Sequence, residues 1–282
     1  MSSNYYYLVA GLPEIILDEG RTRLACSEFT SEAREQLSDA DFTAFSCLLY
    51  PFDNYNLVTL FDKLERPFDE RGLFSEEDLA AGLKFPDDLP GYMAAFIESA
   101  RENRFPVSGL TSADQLAWHF YGTMVAHEQP FISEWYSFDR TLRNLVAGIN
   151  CRNNIEHLDA LATDRDTSLT AAIIGRDDAA EAILRSNAAD FGLGSLFTAT
   201  EKVLALSHGS LADFDKGLDA IRWDTLGEMT ESCYFSAETV FAFFVKLSMV
   251  ERWQKLDPKT GQARLDKLID ELRTSYTAPS MF

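Results

Sequence analysis

Residues 111–158 read TSADQLAWHFYGTMVAHEQPFISEWYSFDRTLRNLVAGINCRNNIEHL, and this stretch decides the fold. Its apolar and aromatic side chains recur at the spacing of an α-helix face, and its one proline is Pro130. Because proline lacks an amide donor and clashes with the preceding turn, we predict two helices, near 112–127 and 130–153. The stretch carries no catalytic signature, so it is typical of a helical scaffold.

The flanking sequence repeats the helical spacing, and few segments alternate with period two, so we predict a mainly α, multi-helical fold. Tyr5 to Leu12 is the ambiguous segment, which fits either a first strand or a short helix. Pro51 and Pro67 are expected to end helices. Helix N-caps are expected at Ser38 or Asp39, Ser75, Thr111 or Ser112, Asp177 and Ser236. The other predicted helices lie near 28–37, 39–50, 54–65, 76–83, 90–104, 155–163, 168–174, 177–187, 195–207, 210–220, 236–255 and 262–275.

Length and composition indicate a globular chain. With 282 residues, 46% of them hydrophobic, it can bury a large core without disulfides or metals. The segment FPVSGL at 105–110 is the best internal boundary, because it joins proline and glycine between helical stretches. We therefore predict an N-terminal helical lobe over 1–108 and a C-terminal part over 109–282.

The charge limits the classes of partner. The chain has 45 acidic and 25 basic residues, a formal net charge of -20. Nucleic acid and anionic lipid both require a basic footprint, so we expect neither, and basic protein surfaces are the expected partners. No apolar run approaches the ~18 residues of a spanning helix, and the N-terminus lacks a signal-peptide pattern, so we expect a cytoplasmic protein without membrane insertion.

Residues that commonly carry chemistry are few and isolated. None of the histidines lies in an HExxH or ExxH pattern, so neither zinc nor another cofactor is expected. The cysteines are singletons, which predicts buried thiols in a reducing compartment rather than a metal or redox pair. These residues are His119, His127, His157, His208, Cys26, Cys47, Cys151 and Cys233.

Three other features have structural explanations. Acid pairs at i, i+4, Asp177 with Glu181 and Asp266 with Asp270, are expected on solvated surfaces. The GLGS segment at 192–195 completes no phosphate-binding motif and predicts a turn. The aromatic side chains of 118–138 are expected mainly in the core, with Trp135 and Tyr136 among them. Exposed members would mark a partner surface, and a ligand pocket among them is the alternative.

Two segments carry a resemblance to a known family. NYYYLVAGLPEIILDEG at 4–20, with FDRTLRNLVAGINCRNN at 138–154, resembles an uncharacterised bacterial family usually found beside genes for V/A-type ATPases. More distantly, the chain is similar to the central-stalk adaptor family of those rotary ATPases, which has a counterpart in eukaryotic complexes. That family is all-helical and funnel-shaped, which implies pseudo-repeated helical lobes here.

The central-stalk resemblance rests on a tyrosine-rich start with a YxY, here Tyr5 and Tyr7, and on helices of the form D-x-x-N-L-x-x-x-L-R. The second pattern is followed by Asp139, Asn144, Leu145 and Arg152, with a longer gap between the acid and the asparagine. A weaker copy runs from Lys246 to Trp253. The resemblance implies an interaction or helix-orienting role for Tyr5, Tyr7, Asp139, Arg143, Asn144 and Arg152.

The resemblance implies a non-catalytic adaptor that joins the ATPase shaft to the membrane rotor ring. Such a subunit would be peripheral to the inner membrane through the complex alone. Two alternatives stay open at this point. One is a small-molecule-binding protein or enzyme with a pocket among the aromatics of 118–138. The other is an assembly or regulatory factor of the same ATPase, present in sub-stoichiometric amount.

Overall fold

The computed structural model describes residues 4–17, 22–157, 169–170, 172–207 and 209–255, with only the backbone of 153–157. Across these ranges the chain is mainly α, with one short 3₁₀ turn at Pro86–Asp88 and no strand. The twelve α-helices of the described ranges are α1 Tyr6–Gly11, α2 Cys26–Gln36, α3 Asp39–Ser46, α4 Tyr50–Phe61, α5 Glu76–Gly82, α6 Gly91–Arg101, α7 Ser112–Met124, α8 Pro130–His157, α9 Asp178–Arg185, α10 Thr200–Leu206, α11 Leu211–Met229 and α12 Ala237–Lys255.

The deciding stretch forms two helices as predicted. Helix α7 ends at Met124, and Pro130 is the first residue of α8, where its missing N–H costs no hydrogen bond. The ambiguous N-terminal segment is a helix, α1. The helices predicted at 168–174 and 262–275 lie wholly or partly outside the described residues, as do the end of 155–163, His208, Asp266 and Asp270.

Side-chain caps start several helices where the sequence predicts them. The hydroxyls of Ser38, Ser75 and Thr111 each accept the backbone N–H of the residue three positions on, and the Asp177 carboxylate does the same for α9. Ser236 was wrongly predicted as a cap. Its hydroxyl is buried without a hydrogen-bond partner, so α12 starts without it.

Some predicted helix bounds were wrong. Pro51 does not stop a helix: α3 already ends at Ser46, and Pro51 lies in the first turn of α4, where proline is favoured. Helix α4 ends at Phe61, well before Pro67. Helix α10 is shorter than predicted, and α11 continues to Met229 because its later turns bury further apolar side chains in the cores.

The larger core joins helices from both ends of the chain. At its centre lie Phe29 of α2, Phe45 of α3 and Phe244 of α12, and the rings of Phe45 and Phe244 are 4.9 Å apart. Trp135 and Tyr136 of α8 are core residues as predicted, 5% and 3% exposed. The same core includes residues on both sides of position 108, so the division into 1–108 and 109–282 stays a prediction.

A second core forms between the later part of α8 and helices α9 to α11. Leu142 and Leu145 of α8 pack there with Ile183 of α9 and with Phe191, all fully buried. Phe138 packs against both cores. Helix α8 therefore contributes side chains to both hydrophobic cores and connects them.

Among the helices of the described ranges, none combines the length with the apolar composition that a membrane-spanning segment requires.

Candidate functional site

The densest polar arrangement lies where α7, α8, α11 and α12 meet. Asp139 of α8 accepts a 2.6 Å hydrogen bond from the Tyr121 hydroxyl and a 2.9 Å bond from Nε of Arg222. Burial, and then the neighbouring Asp139 carboxylate, raise the pKa of Tyr121 well above its ordinary value. The phenol therefore stays a neutral donor, which suits it to hold Asp139 rather than to exchange protons.

A second carboxylate extends the arrangement. Asp219 of α11 is only 3% exposed and accepts a 2.9 Å hydrogen bond from the Trp253 indole. It also pairs with Arg252 at 2.5 Å and with Arg222 at 3.3 Å. Burial disfavours the charge on Arg222, but Asp139 and Asp219 outweigh that cost and raise the pKa of the guanidinium. Arg222 is thus a charged bridge between two carboxylates.

A cavity of about 260 Å³ borders this network. Trp135, Tyr136, Asp139 and Arg222 are among the side chains that line it. Both carboxylates already accept hydrogen bonds from buried or half-buried donors of the network, so their oxygens are engaged in joining the helices. The geometry is that of a helix-joining ion network beside a small cavity, and a ligand pocket among the aromatics stays a prediction.

Three other predicted site residues on α8 each contact a different element. Arg143 forms an ion pair with Asp114 of α7. Arg152 places its guanidinium 3.4 Å from the centre of the Phe191 ring and donates to the Ser186 carbonyl at 2.7 Å. Asn144 binds the loop before α9. These contacts orient helices and loops, while a partner-binding role for the same residues stays a prediction.

The two predicted tyrosines lie apart from the α8 residues. Tyr5 is buried; its hydroxyl donates to the Asp41 carboxylate and accepts the Ser38 N–H at 3.1 Å. Tyr7 is 94% exposed. In the described part of the chain, neither tyrosine shares a hydrogen bond with an α8 residue. The YxY pattern therefore combines one structural tyrosine with one surface tyrosine.

The histidines show no ligand arrangement in the described ranges. His119 is half-buried, and burial lowers its pKa, which keeps the ring neutral. His127 accepts the Gln129 N–H at its Nδ1 atom, 3.1 Å away. No group of three or more His, Cys, Asp or Glu side chains among the described residues is placed to hold a metal ion. Cys26 and Cys47 are buried as predicted, and Cys151 and Cys233 are half-buried.

Asn144 pins a loop through its side-chain amide. Its Nδ2 donates to the Ile174 carbonyl at 2.8 Å, and its Oδ1 accepts the Ile174 N–H at 2.9 Å. One turn earlier on α8, Arg140 forms an ion pair with Asp177, the cap of α9. Asp177 was expected to cap a helix and to lie on a solvated surface; it caps α9, and its carboxylate is only partly exposed because it pairs with Arg140.

Helix α4 carries a matching asparagine-to-loop contact, which the sequence patterns did not reveal. Asn56 donates to the Asp69 carbonyl at 2.8 Å and accepts the Asp69 N–H at 2.8 Å. One turn earlier, the buried Asp53 accepts the N–H groups of Leu73 and Phe74 at 3.1 and 3.2 Å. The signal that could have revealed it is the segment Asp53-Asn54-Tyr55-Asn56-Leu57, which reads D-x-x-N-L.

Each pinned loop passes close to its helix at a glycine. A Cβ atom on Gly72 would lie 2.1 Å from the Asp53 carboxylate oxygen, and one on Gly175 would lie 3.0 Å from the Arg140 guanidinium. Gly175 also has φ +81°, a conformation that glycine adopts without strain. Helices α4 and α8 thus share a buried asparagine, a charged residue one turn before it and a loop glycine.

The chain matches one protein family over most of its length. The matching family is described as a protein of unknown function, DUF2764, and the match covers residues 1–276. The chain belongs to this family. No curated protein and no solved structure matches it. The description of the DUF2764 family assigns no activity, so the predicted link to V/A-type ATPases stays a prediction.

Asp53 gives this DUF2764 member a testable pH dependence. Burial raises the pKa of Asp53 from its ordinary 3.8 to about 6, against the opposing effect of its two backbone hydrogen bonds. Since the unfolded chain releases this proton at lower pH, the stability from this group falls as pH rises from about 4 to about 6. We expect the free energy of unfolding of Asp53→Asn, relative to that of wild type, to rise by about 2 kcal/mol between pH 4 and pH 6.5.

Urea unfolding at a series of pH values, followed by circular dichroism, measures this difference. Asp62→Asn is the matched control, because Asp62 is an exposed carboxylate at the end of the same helix. Loss of the Asp53 hydrogen bonds changes the free energy of unfolding of the variant by the same amount at every pH. The readout is therefore how the difference in free energy of unfolding between variant and wild type changes with pH. A difference between Asp53→Asn and wild type that does not change with pH would contradict the prediction.

Proposed function

We propose that this chain is a non-catalytic adaptor subunit of a V/A-type rotary ATPase, which links the central shaft to the membrane rotor ring. The observation that carries the proposal is the asparagine-to-loop contact that α4 and α8 share. Asn56 and Asn144 are 0% and 1% exposed, and each binds both backbone groups of one loop residue. Repeated helices with a D-x-x-N-L pattern are what the resemblance to the central-stalk adaptor family leads us to expect.

The α4 copy strengthens this argument, because it fits the family pattern better than α8 does. Asp53 to Leu57 matches D-x-x-N-L without an inserted residue, whereas Asp139 to Leu145 has a longer gap. After that point α4 departs from the pattern, with Phe61 and Asp62 in place of leucine and arginine. Two helices with the same buried asparagine, each of which binds the loop before a capped short helix, support pseudo-repeated units.

The pinned loops also suit a subunit that transmits torque. An amide that bonds both the N–H and the C=O of one residue fixes the loop against sliding along the helix, and a buried bond of this kind is costly to break. The net charge of -20 favours protein sockets with basic faces over lipid. Association with the membrane would then run through the complex, on its cytoplasmic side.

Affinity purification of the tagged full chain from native membranes tests the proposal, with the tag alone as control. We expect shaft and rotor-ring subunits to co-purify in amounts comparable to the chain itself. Co-purification in strongly sub-stoichiometric amount would favour the assembly or regulatory factor. If no ATPase subunit rises above the tag control, the proposal is wrong.

A further inference from the structure

The N-terminal helix and the turn between α11 and α12 form one aromatic surface. Tyr6, Tyr7 and Tyr234 are 55%, 94% and 78% exposed. We name these three residues, with the half-buried Phe235, the tyrosine patch. The other strongly exposed apolar side chains include Phe85, Leu196 and Leu211, which come from separate segments. Isolated exposed apolar residues are ordinary on protein surfaces, whereas clustered aromatics typically mark interaction sites.

The tyrosine patch is held together by the fold. The Tyr5 N–H donates to the Phe235 carbonyl at 2.6 Å, which ties the start of α1 to the α11–α12 turn. The rings of Tyr6 and Phe235 lie 4.7 Å apart. The Tyr5 hydroxyl is held by hydrogen bonds with the Ser38 N–H and the Asp41 carboxylate. A surface already fixed in this way loses little conformational entropy when a partner binds.

The two segments that carry the tyrosine patch, 4–17 and 228–236, contain no lysine or arginine. Glu14, Glu228 and Glu231 in these segments are exposed. An anionic lipid surface or a second copy of this acidic chain would meet like charge here, while a cationic segment would be attracted.

We infer that the tyrosine patch is the docking surface for a protein segment that carries lysine or arginine beside aliphatic side chains. Resting on the proposed function, the inference places that segment in a subunit of the rotary ATPase. Tyrosine faces accept both contacts, because the ring packs against aliphatic groups and attracts cations over its face. The exposed glutamates of the two segments then add attraction that salt weakens.

The double variant Tyr7→Ser with Tyr234→Ser tests the inference in the same affinity purification. Both side chains are exposed, so the fold is expected to keep its melting temperature, which circular dichroism checks. We expect the captured ATPase subunits to fall at least about tenfold, the effect of losing interface anchors. Phe85→Ser is the matched control, since it removes an aromatic that is 70% exposed from a separate surface loop, and it should leave capture unchanged.

A photo-crosslinking residue at position 7 of the full chain identifies the occupant directly. The expected product joins position 7 to a lysine- or arginine-containing peptide of an ATPase subunit. A crosslink to lipid, to a second copy of the chain or to an acidic peptide would overturn the inference. Equal capture by wild type and the double variant would overturn it while leaving the proposed function standing. Absence of ATPase subunits with wild type itself would overturn both.

Discussion

Replacement of Asp219 by alanine is expected to lower the free energy of unfolding by about 3 kcal/mol, because the variant loses a buried carboxylate that accepts hydrogen bonds from three side chains. Asp219 is 3% exposed and accepts hydrogen bonds from Arg222, Arg252 and Trp253. Arg222 would keep Asp139, but the Trp253 N–H would lose its acceptor. Urea unfolding followed by circular dichroism measures the loss.

Asp224→Ala is the matched control for this prediction. Asp224 lies on the same helix, α11, and pairs with Lys202 at 3.7 Å, with both side chains about 60% exposed. Exposed ion pairs typically contribute less than about 1 kcal/mol, so this variant should unfold almost like wild type. Equal losses in the two variants would mean that the Asp219 network adds nothing beyond a surface ion pair.

The sequence was sufficient to predict the class of fold and much of its helical framework. Helical spacing identified α7 and α8, and the caps at Ser75 and Thr111 are local signals that involve neighbouring residues only. Pro51 shows where local reasoning fails. A proline is compatible with both the end of one helix and the first turn of the next, and packing of the surrounding residues decides between them.

The polar contacts were much harder to predict, because their partners are distant in sequence. Asp139 was singled out, but Arg222, which pairs with it, lies 83 positions further on. The i, i+3 spacing of Asp219 and Arg222 indicates only a local pair and gives no hint of the bridge to α8. Tertiary ion networks depend on how helices cross, and a single sequence carries no record of that geometry.

The tyrosines illustrate a further limit. Tyr5 and Tyr7 share one motif, yet one is buried and the other is 94% exposed. Tyr5 precedes α1 at its N-cap position with a non-helical backbone, whereas Tyr7 lies inside α1, so the two side chains do not share one helix face. The motif therefore indicated where to look, while the assignment of a structural role to Tyr5 and a surface role to Tyr7 required the fold.

The second large effect is expected at Asn144. Asn144→Ala removes the partner of both backbone groups of Ile174, a residue that is itself 0% exposed. A buried polar group left without a partner costs about 1–3 kcal/mol, so we expect a loss of about 3 kcal/mol. Asn56→Ala should cost less, because Asp69, the residue that Asn56 binds, is half-buried, whereas Ile174 is fully buried.

Asn150→Ala controls for the substitution itself. Asn150 is exposed on the same helix, so its replacement should change stability by less than about 0.5 kcal/mol. Native-state hydrogen exchange supplies the specific readout: the Ile174 amide should lose protection in Asn144→Ala and keep it in Asn150→Ala. If Ile174 stays protected in both, another group satisfies the loop, and Asn144 cannot be the pin that joins α8 to the loop before α9.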